Sequence, residues 1–196
     1  MILLSQGAEA KIYEVNKDTL LKERVKKNYR LTEIDEYLRK TRTKNEVSLL
    51  KRAKSVGVSV PNVYDLEKYS FKMDYIKGIV LRDYIPKIDE KRLVQIFKIV
   101  GKQINLLHKE NIVHGDLTTS NMIVDGDKVY FIDFSLGSVS SKIEDKAVDL
   151  HLIKQALIAK HNNVWEKCMK IIISSYKNKL VIERLKSVEK RGRKKQ

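Results

Sequence analysis

A single cysteine, Cys168, stands among 196 residues, which excludes an intrachain disulfide and a cysteine-based zinc cluster. Two prolines and eight glycines are too few for a collagen-like or Pro-rich extended chain. No run approaches the ~20 consecutive apolar residues of a spanning helix, and the opening MILLSQGAEA lacks the charged leader and apolar core of a secretory signal. A soluble, cytoplasmic protein without a membrane partner is therefore expected. Acidic side chains are also scarce: 25 Asp and Glu face 40 Lys and Arg, a formal net charge of +15 that suggests an anionic partner. With 42% hydrophobic residues the chain can bury a core, and its length permits one domain or two small lobes.

Short apolar groups alternate with turn formers over the first 21 residues (ILL, QG, AKIYEV, NKD, TLL), the pattern of a small antiparallel sheet. Val60–Tyr64, Ser70–Ile76 and Ile79–Tyr84 read as further strands, the last after a Lys77-Gly78 turn. Between them a helix ends in TKNEVSLLKRAKS, carrying Val47, Leu50 and Ala53. From Asp89, the expected N-cap, an apolar stripe of Leu93, Ile96, Phe97, Val100, Ile104 and Leu107 marks a long helix. Met122–Val124 and Val129–Ile132 flank Asp125-Gly126 as a hairpin. Helical periodicity resumes over Asp145–Ala159, again through Trp165, Met169, Ile172 and Ile173, and finally through Val181, Leu185 and Val188. The expected fold is α+β, with a sheet-rich lobe over residues 1–77, a helical lobe over 78–189 and a basic tail over 190–196; a ligand cleft can form between the lobes.

Chemistry concentrates in HGDLTTSN (114–121) and IDF (132–134). Asp116, Asn121 and Asp133 follow the order of a phosphotransferase: an acid to accept a hydroxyl proton, an amide oxygen for magnesium and a carboxylate for magnesium. Nucleotide phosphates and waters would complete the octahedral shell that magnesium demands. Upstream, SQGAEAKI (Ser5 to Ile12) offers a phosphate-covering turn, with Gly7 allowing close backbone approach. Lys22, at the end of TLLK, can pair with inner phosphates of ATP, and Glu46 on the following helix can orient it. Glu9 sits where a negative charge is unfavourable for phosphate, so a salt bridge holding the loop is one role for it. Asp149 is either a fastener of the catalytic loop or a helix N-terminal acid. His108, His151 and His161 show no metal-ligand arrangement.

QGAEA, LLKERVKKNYR, RTKNE, MDYIKG, HGDLTTSN, IDFSLG and EDKAVDL occur in series along nearly the whole chain, and through them the sequence resembles the small atypical serine/threonine kinases of the KEOPS transfer-RNA modification complex, relatives of the RIO kinases. That resemblance implies a small bilobal protein-kinase-like fold and an ATP- and magnesium-dependent kinase or ATPase. It makes Asp116 the catalytic aspartate, Lys22 and Glu46 the nucleotide-positioning pair, and Asn121 and Asp133 the metal ligands. Ser5, Gly7 and Ala10 would lie in the phosphate loop, Ile12 above the adenine, Ile123 beneath it, and Asp74, Tyr75 and Ile76 along its edge; His114 would be structural. The implied partners are the other KEOPS subunits, including the one that transfers threonylcarbamoyl, and transfer RNA, held by basic surfaces and the C-terminal tail. Residues 22–54 carry 12 Lys or Arg against five acids, and KRGRKKQ adds Lys190, Arg191, Arg193, Lys194 and Lys195, charges suited to phosphate contact rather than base reading.

The chain departs from ordinary protein kinases at Ser5 and Ala10, which replace outer glycines of GxGxxG, and at Ser135, which replaces the glycine of DFG. Roughly ten residues between Phe134 and Glu144 leave no room for a long activation segment or an APE platform. Two other functions therefore stay open on the sequence: a noncatalytic RNA-binding assembly subunit, and a small-molecule phosphotransferase.

Overall fold

The computed structural model describes residues 1–193; the last part of the basic tail, Lys194–Gln196, lies outside the described residues. Five antiparallel strands open the chain: β1 (Ile2–Gln6), β2 (Ala10–Asn16), β3 (Thr19–Arg24), β4 (Val63–Tyr64) and β5 (Ser70–Asp74), in the spatial order β1-β2-β3-β5-β4. The 24-residue helix α1 (Thr32–Ser55) connects β3 to β4 and buries Glu46, Val47, Leu49, Leu50 and Ala53. Only its second half was readable from apolar spacing. Its first half exposes Ile34 and Tyr37 to solvent, so the amphipathic signal fades there.

The segment expected as a strand over Ile79–Tyr84 divides instead. Ile79–Val80 form the short β6, and Leu81–Tyr84 turn into the helix α2. The β-branched residues of the expected strand, Ile79 and Val80, are the two that stay extended; Leu81 is fully buried and the backbone continues past α2 as a 3-10 turn through Ile85–Lys87. The expected strand at Ser70–Ile76 ends at Asp74, leaving Tyr75 and Ile76 as the irregular crossing between lobes. Pairing at Val60–Tyr64 is confined to Val63 and Tyr64.

Asp89 is an N-cap as expected: its carboxylate accepts from the Arg92 backbone N–H at 2.7 Å and opens α3 (Glu90–Lys109). The stripe from Leu93 to Leu107 is buried along α3. A Cβ on Gly101 would come within 2.8 Å of the Ile172 carbonyl oxygen, so only glycine lets α3 approach α5 (Trp165–Ser175) this closely. The strands β8 (Met122–Asp125) and β9 (Lys128–Phe131) form the expected hairpin, with β6 on the other side of β8. Gly126 takes a left-handed φ of 54° in the two-residue connection, which includes Asp127. The short strands β7 (Ile112–Val113) and β10 (Ser138–Val139) pair across the catalytic loop. Helices α4 (Ile143–Lys160) and α6 (Lys179–Arg193) pack against one another. The basic run therefore starts inside a helix: residues 190–193 are the last turn of α6, and Arg191 is ion-paired with Glu144. Among the described residues no helix is long and apolar enough to cross a membrane.

Candidate active site

β3 places Lys22 beneath the five-stranded sheet, where it is 4% exposed. Its ammonium donates to Glu46 Oε1 at 2.6 Å and to Asp133 Oδ1 at 2.8 Å. The pair expected from sequence is thus formed, and Lys22 also spans to the lower lobe. Asp133 holds a left-handed φ of 61°, an uncommon setting for a non-glycine residue that aspartate tolerates best. Burial pushes its carboxyl upward, but the Lys22 charge and the bonds from Lys22 and Ser135 outweigh it and hold Asp133 well below the usual carboxylate range. It stays ionised at any working pH.

The catalytic loop is built on Asp149. From inside α4 its carboxylate accepts the backbone N–H of His114 at 2.6 Å and of Gly115 at 2.8 Å. That settles the two roles left open for Asp149 in favour of the fastener, and His108 Nε2 reaches the same carboxylate at 3.2 Å. Gly115 has φ +79° and a Cβ there would sit 2.2 Å from the Leu136 carbonyl oxygen, so the residue before Asp116 has to be glycine. His114 is fully buried against Phe134, with ring centroids 4.4 Å apart. Its Nδ1 accepts from the Asp116 N–H and its Nε2 faces the Ile132 carbonyl, the partners of a neutral imidazole protonated at Nε2.

Burial drives the His114 pKa down against the raising influence of Asp149, and His161 is lowered for the same first reason. Below about pH 6.5 the unfolded chain then binds protons that the folded chain refuses, so stability should fall as pH falls, by about 1.4 kcal/mol per pH unit per histidine until each folded pKa is reached. Urea titrations of the wild-type chain and of His114→Asn between pH 7 and 5 should differ in slope by one proton. Equal slopes would mean that His114 titrates as freely in the folded protein as in the unfolded chain.

Asn121 donates its amide N–H groups to the Asp116 carbonyl at 2.9 Å and to Asp116 Oδ2 at 2.8 Å. This fixes the amide orientation and leaves Oδ1 as the oxygen accepting from no donor among the described residues. The Asp133 side chain keeps 43% of its surface exposed. One amide oxygen and one carboxylate make an all-oxygen donor set, which fits a hard cation such as magnesium. Two protein oxygens are a third of the six that magnesium demands, the usual share where nucleotide phosphates and water complete its shell.

Two adjoining cavities run between the lobes. The inner one, about 170 Å³, is mostly apolar and is lined by Ile12, Asp74, Tyr75, Ile76, Ile123 and Asn121, with Lys22, Glu46 and Asp133 at its end. The second, about 290 Å³, is lined by Ser5, Gly7, Ala10, Ile12, Lys22, Asp116 and Asp133. Every residue that the sequence assigned to catalysis, nucleotide or metal lines one or both. Leu20, Leu50, Pro61, Met73 and Ile132 also line the inner cavity, and nothing in their local sequence distinguished them from ordinary core residues. Along this edge the Tyr75 N–H donates to the Asp18 carbonyl at 2.9 Å, and Asp74 Oδ2 accepts from the Asn62 backbone N–H at 3.0 Å. Gly7 sits in an unstrained turn. Its φ is not positive, and a Cβ would meet the Ala10 oxygen at an ordinary 3.7 Å, so the loop's own geometry does not require glycine there. Glu9 pairs with Arg42 at 2.5 Å and with Arg30 at 3.7 Å, tying the loop to α1 and to the segment before it.

An antiparallel sheet over α1, a helical lower lobe and a Lys-Glu-Asp cluster at the cleft together define an atypical serine/threonine kinase-like enzyme. The RIO domain model matches residues 7–147. The KEOPS complex subunit Bud32 of Pyrococcus abyssi is 41% identical over 98% of this chain and 96% of its own. The EKC/KEOPS complex subunit BUD32 of Enterocytozoon bieneusi is 40% identical over the whole of both chains. A probable bifunctional tRNA threonylcarbamoyladenosine biosynthesis protein of Methanococcus vannielii is 38% identical over 97% of this chain, which spans 36% of that longer protein. Among solved structures, the Rio2 kinase of Chaetomium thermophilum in its ADP, magnesium and phosphoaspartate complex superposes with a TM-score of 0.67 at 15% identity, over 98% of this chain and 70% of that one. The streptomycin and ATP ternary complex of APH(2″)-IIa gives 0.71 at 15% identity, over 95% and 80%. The chain belongs to the RIO-domain family of atypical kinases, in its Bud32 branch.

Proposed function

We propose that this chain binds ATP with magnesium between its lobes and serves in the cytoplasm as the kinase and ATPase subunit of a KEOPS assembly that makes N6-threonylcarbamoyladenosine in transfer RNA. Lys22 positions the inner phosphates with Glu46 behind it, Asn121 Oδ1 and Asp133 hold magnesium, and Asp116 accepts the proton of a serine or threonine hydroxyl or orients a water. Bound magnesium would supply charge neutralisation on the transferring phosphate. Ile12 and Ile123 enclose the adenine, with Asp74, Tyr75 and Ile76 at its edge. Ser5, Gly7 and Ala10 cover the phosphates. One observation carries the biological role: end-to-end identity of about 40% with subunits named for KEOPS. The Methanococcus vannielii protein supports a neighbour that transfers threonylcarbamoyl, since a region like this chain is there joined to a second part in one polypeptide named for that biosynthesis.

Reconstitution with the other KEOPS subunits and transfer RNA tests the role. Formation of modified adenosine and ATP turnover should both require this chain; product formed at the same rate without it would remove it from the reaction. Basic surfaces and the tail are the RNA contacts in this reading. Deleting Lys190–Gln196 should weaken transfer-RNA binding roughly tenfold or more at low salt and less at high salt, with basal ATP turnover retained. Because the deletion also removes Arg191 from Glu144, Arg191→Gln is the control for lost packing in α6. Equal RNA affinity of intact and shortened chains across the salt series would exclude a tail contact.

A further inference from the structure

Two positions apart on β3, Lys22 and Arg24 leave the same face of the strand. Both are buried, at 4% and 3% exposure, and both converge on one carboxylate of α1. Lys22 takes Glu46 Oε1 at 2.6 Å; Arg24 Nη2 takes Oε2 at 2.5 Å. Ser135, in place of the usual glycine, sits among them: its hydroxyl is 3.1 Å from Lys22 Nζ and 3.2 Å from Arg24 Nη2, and it donates to Asp133 Oδ1.

The three N–H groups of Lys22 are fully used on Glu46, Asp133 and Ser135. A phosphate can therefore engage this ammonium only by taking the place of one of those acceptors. In the nucleotide-binding reading, on which this inference rests, Asp133 is the acceptor surrendered, since it turns to the cation. Lys22 is then shared between phosphate and Glu46. A buried carboxylate with that lysine as its sole cation would be weakly held at the moment its position matters most. Arg24 lines neither cavity, so no ligand in the cleft competes for it.

Arg24 Nε and Nη1 are enclosed and have no hydrogen-bond partner among the described residues. Burying a guanidinium with two unmet donors opposes stability, and its desolvation cost offsets much of what the ion pair returns to the fold. The residue is explained by what it does to Glu46 rather than by what it adds to the fold. Only eight residues, Ser135–Lys142, separate Phe134 from α4, too few for a long activation segment; they meet α1 beside Glu46, where the Asn45 amide donates to the Gly137 carbonyl at 2.9 Å.

We propose that Arg24 is a positioning residue: it holds Glu46, and with it α1, in the catalytic arrangement in the presence or absence of nucleotide, so that the helix stays docked while Lys22 is shared with phosphate. Steady-state ATP turnover by full-length Arg24→Gln should show kcat reduced about tenfold or more, with KM for ATP within about threefold of wild type. Arg24→Lys, which keeps a cation within reach, should recover part of kcat. Hydrogen exchange of the wild-type chain gives a readout that needs no variant to fold: α1 amides around Glu46 should be equally protected with and without magnesium ATP. In Arg24→Gln that protection should drop in the free chain and rise when nucleotide binds. A wild-type α1 that becomes protected only on nucleotide binding would overturn the proposal, as would unchanged kcat and unchanged α1 exchange in Arg24→Gln. Failure of the wild-type chain to bind magnesium ATP would overturn the nucleotide reading itself, an outcome distinct from either.

Discussion

Asp116→Ala should leave ATP binding close to wild type and cut both ATP hydrolysis and serine phosphorylation by about 10²-fold or more. The expectation comes from the loop's construction. Asp149 and Gly115 fix the backbone on one side of Asp116, and the Asn121 amide holds its carboxylate at 2.8 Å on the other. Removing the side chain takes away the acceptor for the attacking oxygen's proton without touching Lys22 or Asp133. The Asn121 amide loses one of its two acceptors but keeps the Asp116 carbonyl, so the fold should survive. Single-turnover assays at saturating ATP and magnesium, with melting curves as a folding control, measure the effect. Near-wild-type turnover by a folded variant would remove Asp116 from the chemistry.

Asp133→Asn should have an effect as large, by a different route. The carboxylate is held ionised by Lys22 and Ser135, and a neutral amide there can neither balance Lys22 nor carry full charge to a cation. Turnover should fall by about 10²- to 10³-fold. The magnesium concentration for half-maximal ATP binding should also rise, which separates this variant from Asp116→Ala. Magnesium titrations at fixed ATP report it. An unchanged magnesium requirement would place the ion on other ligands.

Much of the chemistry was legible because it lies in short contiguous runs. HGDLTTSN and IDF are short runs only ten residues apart, so side-chain type and order alone singled out Asp116, Asn121 and Asp133, which the structure places on the cleft lining. Lys22 and Glu46 lie 24 positions apart, and their 2.6 Å contact depends on how α1 docks under β3. Their motifs suggested the pair, but the contact required the fold. Arg24 shows the limit. In sequence it is one of 12 basic residues in a charged stretch, where a solvated face is the ordinary expectation; that it is 3% exposed on Glu46 depends on strand register and helix packing together. The Leu81–Tyr84 helix was hidden for a related reason, since four residues with a buried leucine carry no period that distinguishes strand from helix. Likewise the Tyr75 N–H bonds to the Asp18 carbonyl, a contact made across 57 residues of chain and invisible in either local segment.

The most direct measurement is a reconstituted KEOPS reaction with transfer RNA, following phosphate release and N6-threonylcarbamoyladenosine in the same tube for the wild-type chain and for Asp116→Ala, each shown to be incorporated equally into the assembly. Phosphotransfer chemistry at the cleft predicts that the variant, still binding ATP, loses phosphate release and with it the product that depends on this chain. Full product formation by an Asp116→Ala assembly that releases no phosphate would contradict it and leave the chain a structural part of the complex.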